Sequence, residues 1–419
     1  MSILSHYLAQ ALFYLPYSLL MTLILLYSPA LAFFPQLKNS APGFTAIPVL
    51  SLLILTSFAF VLLHLHLYHP TQVLILSALL FIVAALRFKP KHFSSWSETE
   101  KTLLKINLGL ILPLVAIGGL SAFMYDDALV SWNYWAKYYY LGLSPAAHSR
   151  GYPLFFPLFL SYCYQFLGTL EYQGAVKALL AIFPFTLLNC LAFASQASKK
   201  EFQPLSYYLC YLLLALITVL PGFLSLDFYR FYSKGYADPL LAAALSVSFL
   251  SVLYYVKESQ RLWLLLAAMA AIVASLAKQP GFGWALFGFP LLLLGNMLKT
   301  RKLDYFALAA MLIVSLPTIV WLLSGGRHFA DNGGVISTSL GSYQINSADI
   351  LNALWQSIKK YWLEQPGLLL IFVWGAYAAK ELIQKLLFWL FIFPGVLLWF
   401  IFGSYDLRLG LHLIVLAGI

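Results

Sequence analysis

The sequence predicts an all-α integral membrane protein with about a dozen crossings, and three observations carry that prediction. Hydrophobic residues make up 62% of the 419 and charged residues only 10%, where a soluble chain carries about a quarter charged. The mean hydropathy of +0.84 leaves too little polar surface to cover a globule in water. The apolar residues also fall in long runs separated by short basic loops, the pattern that inserted helices leave.

A crossing helix needs about 20 apolar residues. In order, the candidate runs are 8–34, 46–68, 71–86, 106–124, 175–194, 207–223, 239–256, 262–277, 282–298, 303–323, 368–379, 386–402 and a last one from 409. The first run is long and has no positive region before it, so it reads as a first membrane helix and not a cleaved signal. The stretch 153–167 is apolar but short, and is expected not to complete a crossing. The last run is still apolar at residue 419, which leaves room for a continuation.

The loops assign the sides. Loops 87–105, 199–201, 257–261, 299–302 and 380–385 are the basic ones and are expected in the cytoplasm. The extracytoplasmic face then receives 125–152, 225–238, 278–281, 325–366 and 405–408. No soluble domain interrupts this single polytopic domain, 1–419, whose two main external loops are 125–152 and 325–366. The first half of 325–366 is rich in Gly, Ser and Asn. Its second half places Ile350, Leu351, Leu354, Ile358, Tyr361 and Trp362 at helical spacing, predicting a helix on the membrane surface.

The net charge of +10 comes from clusters such as Lys89/Lys91, Lys199/Lys200 and Lys299/Arg301/Lys302 in short loops, so the lipid bilayer is the implied partner and nucleic acid is not. Cys163, Cys190 and Cys210 all lie in apolar runs and read as packing residues, with no disulfide or metal motif. His64, His66 and His69 are spaced around a helix and not along one face, so no metal site is expected there.

The candidate chemistry gathers on the extracytoplasmic side. Asp126 and Asp127 stand where the run 106–124 leaves the membrane, and acidic groups at that boundary invite a functional reading. One could cap the segment that follows, in which Leu129, Trp132, Trp135, Ala136 and Tyr139 recur at helical spacing and predict a helix lying flat at the headgroups. Capping needs one carboxylate, and the second, beside a like charge, is suited to accept a proton. On the same side lie Arg150 and Tyr152, Arg230, Lys234 and Asp238, Lys278 and Gln279, Arg327 and His328, and Arg408. Any one cation there is explained by snorkelling. As a group they run against the charge bias and suit an anionic, phosphate-bearing ligand.

The stretches MYDDALVSWNYWAKYYYLG, YPLFFPLFLSYCYQFLG, KGYADPLLAAALSVSFLSVLYY and LWLLLAAMAAIVASLAKQPGFGWALFGFPLLLL, with YDLRLGLHL near the end, resemble the GT-C membrane glycosyltransferases. The likeness is to bacterial members that use polyprenyl-phosphate sugars, related to the protein mannosyltransferase and aminoarabinose transferase group. That resemblance implies inverting sugar transfer from a lipid-phosphate donor to a glycan, lipid or protein hydroxyl, on the extracytoplasmic face of the inner membrane. It maps the general base onto Asp126 or Asp127, first onto Asp126, in a catalytic loop 125–152. Lys234, Lys278 and Arg408 would hold the donor phosphate. The Asp-Asp pair departs from the Asp-Glu or Glu-x-Asp of many members, and no large C-terminal soluble domain follows, which leaves the acceptor and any divalent cation open. Two rival classes fit the same residues: a polymerase or ligase of undecaprenyl-linked glycans leaning on Arg327 and His328, and a transporter or lipid flippase with a broken-helix site at 278–281.

Overall fold

The computed structural model describes residues 13–88, 96–119, 123, 131–143, 153–196, 204–219, 232, 234–323, 335–338, 341–344, 347–364, 366–402 and 407–419. These residues are mostly helical, with one short hairpin and the turns that join the helices. Seven described helices are long and apolar enough to cross a membrane: Phe13–Phe33, Ala41–His64, Pro70–Arg87, Gln173–Ala194, Asp238–Glu258, Pro280–Thr300 and Leu382–Ile401. The apolar helices Phe155–Leu167, Arg261–Ala277 and Tyr305–Trp321 are shorter. Other expected runs also form shorter helices, Pro204–Thr218, Pro366–Ala378 and Leu407–Gly418. At 1.5 Å per residue the first two, as described, rise roughly 20–23 Å, less than a hydrocarbon core of about 30 Å. Phe155–Leu167, at about 20 Å, is short in the same way.

One helix begins well before its apolar run. Glu98–Gly119 starts eight residues ahead of the run at 106–124 because Ser97 and Glu100 form a capping box. The Glu100 N–H donates to Ser97 Oγ at 3.2 Å, and the Ser97 N–H donates to Glu100 Oε2 at 2.7 Å. Two orphan donors are thereby satisfied, and the polar first turns stand outside the apolar layer.

Asp238–Glu258 is the helix around which the rest pack. It touches Arg261–Ala277, Leu407–Gly418, Ile182–Gln196 and Ala41–His64. Its Ala242, Ala243, Ala244, Ser246 and Ser248 are buried, as are Ala267, Ala270, Ala271 and Ala274 on Arg261–Ala277. Small side chains let two backbones approach closely where no hydrophobic effect drives helices together. Polar side chains bridge between helices: Ser248 Oγ donates to Ala267 O at 2.9 Å, and Trp284 Nε1 donates to Ser248 Oγ at 3.0 Å. Asn107 Nδ2 donates to Asn189 Oδ1 at 2.9 Å, and Tyr211 donates to Asn107 Oδ1, tying Glu98–Gly119 to Ile182–Gln196 and Pro204–Thr218.

The outward faces are apolar. Leu74, Ile75, Leu79 and Ile82 on Pro70–Arg87 are exposed, as are Leu312, Leu316 and Val320 on Tyr305–Leu323. So much exposed hydrocarbon around a packed interior fits a lipid solvent. At one end of the bundle the basic loops meet. Lys299 Nζ lies 2.6 Å from Glu381 Oε2, Tyr255 donates to Asp304, and the Arg261 guanidinium sits 3.7 Å from the Phe306 ring centre.

Two expectations take a different local form. The histidine segment is a helix end, not a helix: Ala41–His64 stops at His64, and His66 takes a left-handed backbone with φ 57°. Part of the polar loop 325–366 pairs as an antiparallel hairpin, Val335–Thr338 with Gly341–Gln344. The helix Ser347–Glu364 forms where expected, with Leu351, Trp355 and Trp362 exposed and Ser357 and Tyr361 turned inward. Cys163 and Cys190 are buried, Cys210 is exposed on an apolar helix, and all three are free.

Candidate functional site

The site is built at the end of the bundle away from the basic loops, where two helices start and one breaks. Gly235, at φ 81°, turns the chain into Ala237-Asp238-Pro239, which opens Asp238–Glu258. Proline pre-sets the first helical turn, and an acidic residue there meets the positive end of the helix dipole. Forty residues on, Arg261–Ala277 ends and Lys278 takes an extended backbone, φ −161° and ψ 155°. Pro280 has no N–H to continue the ladder. Gly281 then lets the chain return against Ala274, because a methyl at that position would overlap the Ala274 carbonyl.

This break aims Lys278 back at the start of Asp238–Glu258. Lys278 Nζ lies 2.7 Å from Asp238 Oδ1, with side chains 12% and 4% exposed. His412 is buried on the Leu407–Gly418 helix that packs against Asp238–Glu258. Among the described residues Asp238 Oδ2 has no hydrogen-bond partner. A buried carboxylate oxygen left unpaired is costly, and it leaves an acceptor ready for a donor such as a hydroxyl. The ammonium has three donors, and its bond to Asp238 uses one.

A second polar cluster surrounds Phe123, three residues before the acidic pair. Gln173 Oε1 accepts from the Phe123 N–H at 3.2 Å and from Asn133 Nδ2 at 3.4 Å. Tyr164 donates to Asn133 Oδ1 at 2.6 Å. Lys177, one turn after Gln173, is buried with its ammonium 5.9 Å from the Phe123 ring centre. An ionisable side chain inside an apolar helix is costly enough to mark function by default.

The aromatic segment after the acidic pair departs from its expected setting. Trp132, Trp135, Ala136 and Tyr139 are buried, and the helix Asn133–Tyr140 packs on Phe155–Leu167, with Trp132 and Phe156 ring centres 6.0 Å apart. Their helical spacing is as read, but the apolar stripe faces protein and not headgroups. Tyr140 hydroxyl and carbonyl both join this packing, bonding Gly168 O at 3.0 Å and Gln165 Nε2 at 2.8 Å.

Of the residues singled out in the sequence, Asp126, Asp127, Arg150, Tyr152 and Arg230 lie outside the described residues, as do Arg327 and His328. Asp238 and Lys278 are brought together. Lys234 and Gln279 are half-buried near them in the chain, and Arg408 lies in the first turn of Leu407–Gly418. His412 and Lys177 were missed. Both had a signal: His412 is four residues after Arg408, one turn along the same helix face, and Lys177 is the one charged residue in the apolar run 175–194. Among the described residues no three His, Cys, Asp or Glu side chains gather as a metal site.

Compared with known proteins, the chain matches no family model, no curated protein and no solved structure.

Proposed function

We propose that the chain is a multi-pass glycosyltransferase of GT-C type, with about a dozen membrane crossings. It moves a sugar from a polyprenyl-phosphate donor to a hydroxyl of a glycan, lipid or protein, on the extracytoplasmic side of a bacterial inner membrane. The observation that supports this reading most is the buried Lys278–Asp238 pair, at a helix break on the side where the sequence also gathers Lys234 and Arg408. In this reading Asp126 or Asp127 takes the proton from the acceptor hydroxyl. Its oxygen bonds to the anomeric carbon while the bond from that carbon to the phosphate oxygen breaks. The electron pair leaves with the lipid phosphate, and the configuration inverts. Lys278, with Lys234 and Arg408, steadies the charge that grows on the leaving group.

The Lys278–Asp238 pair favours a second reading. A buried ion pair at a break between Arg261–Ala277 and Pro280–Thr300 is also what a transporter or flippase places on its substrate path.

Membranes supplied with radiolabelled polyprenyl-phosphate sugars separate the two. Replacing the true base among Asp126→Ala and Asp127→Ala should lower transfer by about 10²–10⁴-fold at unchanged protein level. Lys278→Gln, compared per amount of folded protein, should chiefly lower kcat, because the charge that Lys278 steadies grows only as the leaving group departs. Unchanged transfer in both aspartate variants would remove the acidic pair from the mechanism. No transfer by wild type across a broad donor panel, with uptake or flipping that Lys278→Gln abolishes, would establish the transporter instead.

A further inference from the structure

The opposite end of the bundle holds a cavity of ≈ 570 Å³ that the proposed reaction does not use. It lies between two tight turns. Ser259, at φ 56°, joins Asp238–Glu258 to Arg261–Ala277, and Arg301, at φ 54°, ends the helix that runs to Thr300. Arg261, Lys302, Ser259 and Asn296 contribute to the lining.

We infer that this cavity binds a phosphate group. The Arg261 guanidinium carbon lies 3.7 Å from the Phe306 ring centre, a cation–π contact that uses none of its N–H donors. Asp304 also lines the cavity, but its carboxylate is already engaged: it accepts from the Phe306 N–H at 2.9 Å, the Ala307 N–H at 3.1 Å and the Tyr255 hydroxyl. It therefore serves as the cap of Tyr305–Leu323. Lys302 is exposed on the cavity wall, so a fork and a point charge converge on one space, with Ser259 and Asn296 as neutral donors.

Two sources carry that chemistry, an anionic phospholipid headgroup and a soluble phosphate. The surroundings favour the lipid. Leu298, Leu303, Tyr305 and Phe306 are exposed beside the cavity, and Leu312 and Leu316 continue the apolar face down Tyr305–Leu323. Acyl chains would lie along that face with the headgroup at the cations, where tyrosine also prefers to sit.

The test is binding to the full chain in neutral detergent, read by native mass spectrometry. The probes are dioleoyl-phosphatidylglycerol, dioleoyl-phosphatidylcholine and inorganic phosphate. Phosphatidylglycerol should bind in preference to phosphatidylcholine, and Arg261→Gln with Lys302→Gln should weaken it by about tenfold or more. Lys380→Gln with Lys385→Gln, an equal loss of charge at exposed residues outside the cavity, should leave it unchanged. Inorganic phosphate binding that is as tight and as sensitive to the two substitutions would keep the phosphate site and assign it to a soluble ligand. Equal binding of the two lipids, or no loss in the double variant, would overturn the proposal.

Discussion

One helical stretch, Pro280–Thr300, carries an ion pair at each end, and the two pairs have nearly the same length. Lys278, just before it, lies 2.7 Å from Asp238 with side chains 12% and 4% exposed. Lys299, near its other end, lies 2.6 Å from Glu381 with side chains 49% and 63% exposed. Distance does not tell these pairs apart, but solvent does. The exposed pair gains a little Coulomb energy in water and spends side-chain freedom to hold its geometry, so it contributes little. The buried pair has given up the hydration of both ions, and each ion now depends on the other. A helical protein can therefore carry one contact type for two purposes: dispensable at a wet loop, and committed where a helix breaks inside the packed bundle.

The comparison is broken most directly at Lys278. Lys278→Met leaves Asp238 buried without a counter-ion, and should lower stability by about 3–5 kcal/mol in thermal unfolding of the detergent-solubilised chain. Adding Asp238→Leu should recover most of that loss, because removing both charges removes the desolvation as well. A double variant as unstable as the single would mean the pair is not what the region depends on. The next effect in size is Gly281→Ala. Its methyl meets the Ala274 carbonyl in the turn that aims Lys278, and should cost about 1–3 kcal/mol. Because turn and ion pair share one geometry, the Gly281 and Lys278 losses should not add. Simple additivity would show that the turn does not set the pair.

The smallest effect is expected at the wet end. Glu381→Gln should lower the unfolding temperature only slightly. Hydrogen bonding and attraction from Lys299 hold the Glu381 carboxyl below its usual range. A depressed carboxyl adds stability above its ordinary titration range and loses it as pH falls through the lowered value. Wild type and Glu381→Gln should thus keep the same small difference from neutrality to about pH 5 and converge only in stronger acid. A large effect of Glu381→Gln at neutral pH would erase the contrast between the two ends.

Much of the helical layout was legible in the sequence. The run 239–256 became Asp238–Glu258, 262–277 became Arg261–Ala277, and 71–86 became Pro70–Arg87. Glu98–Gly119 was placed late because its first turns are polar, and a capping box between Ser97 and Glu100 carries no apolar signal. The stripe through Trp132, Trp135 and Tyr139 was legible as a face, but not what it faces, since headgroups and the Phe155–Leu167 helix both welcome aromatic rings. The candidate site was legible in its parts only. Asp238 and Lys278 stood out separately, as charges at helix ends, and nothing in the intervening apolar chain says that they meet. His412 and Lys177 looked like single polar residues in apolar runs until packing buried both, His412 on a helix against Asp238–Glu258 and Lys177 near the Phe123 ring.

Composition and hydropathy by themselves determined the membrane class, the position of most helices and the collection of charges at helix ends. Those follow from the transfer of side chains and backbone into an apolar solvent, a cost that accumulates residue by residue along the chain. Only the tertiary structure decided which charge meets which, which pair is dry and which is wet, and where a cavity opens between two turns. Those depend on which helices are neighbours and how closely their small side chains let them approach, and such contacts join residues that lie far apart in the sequence.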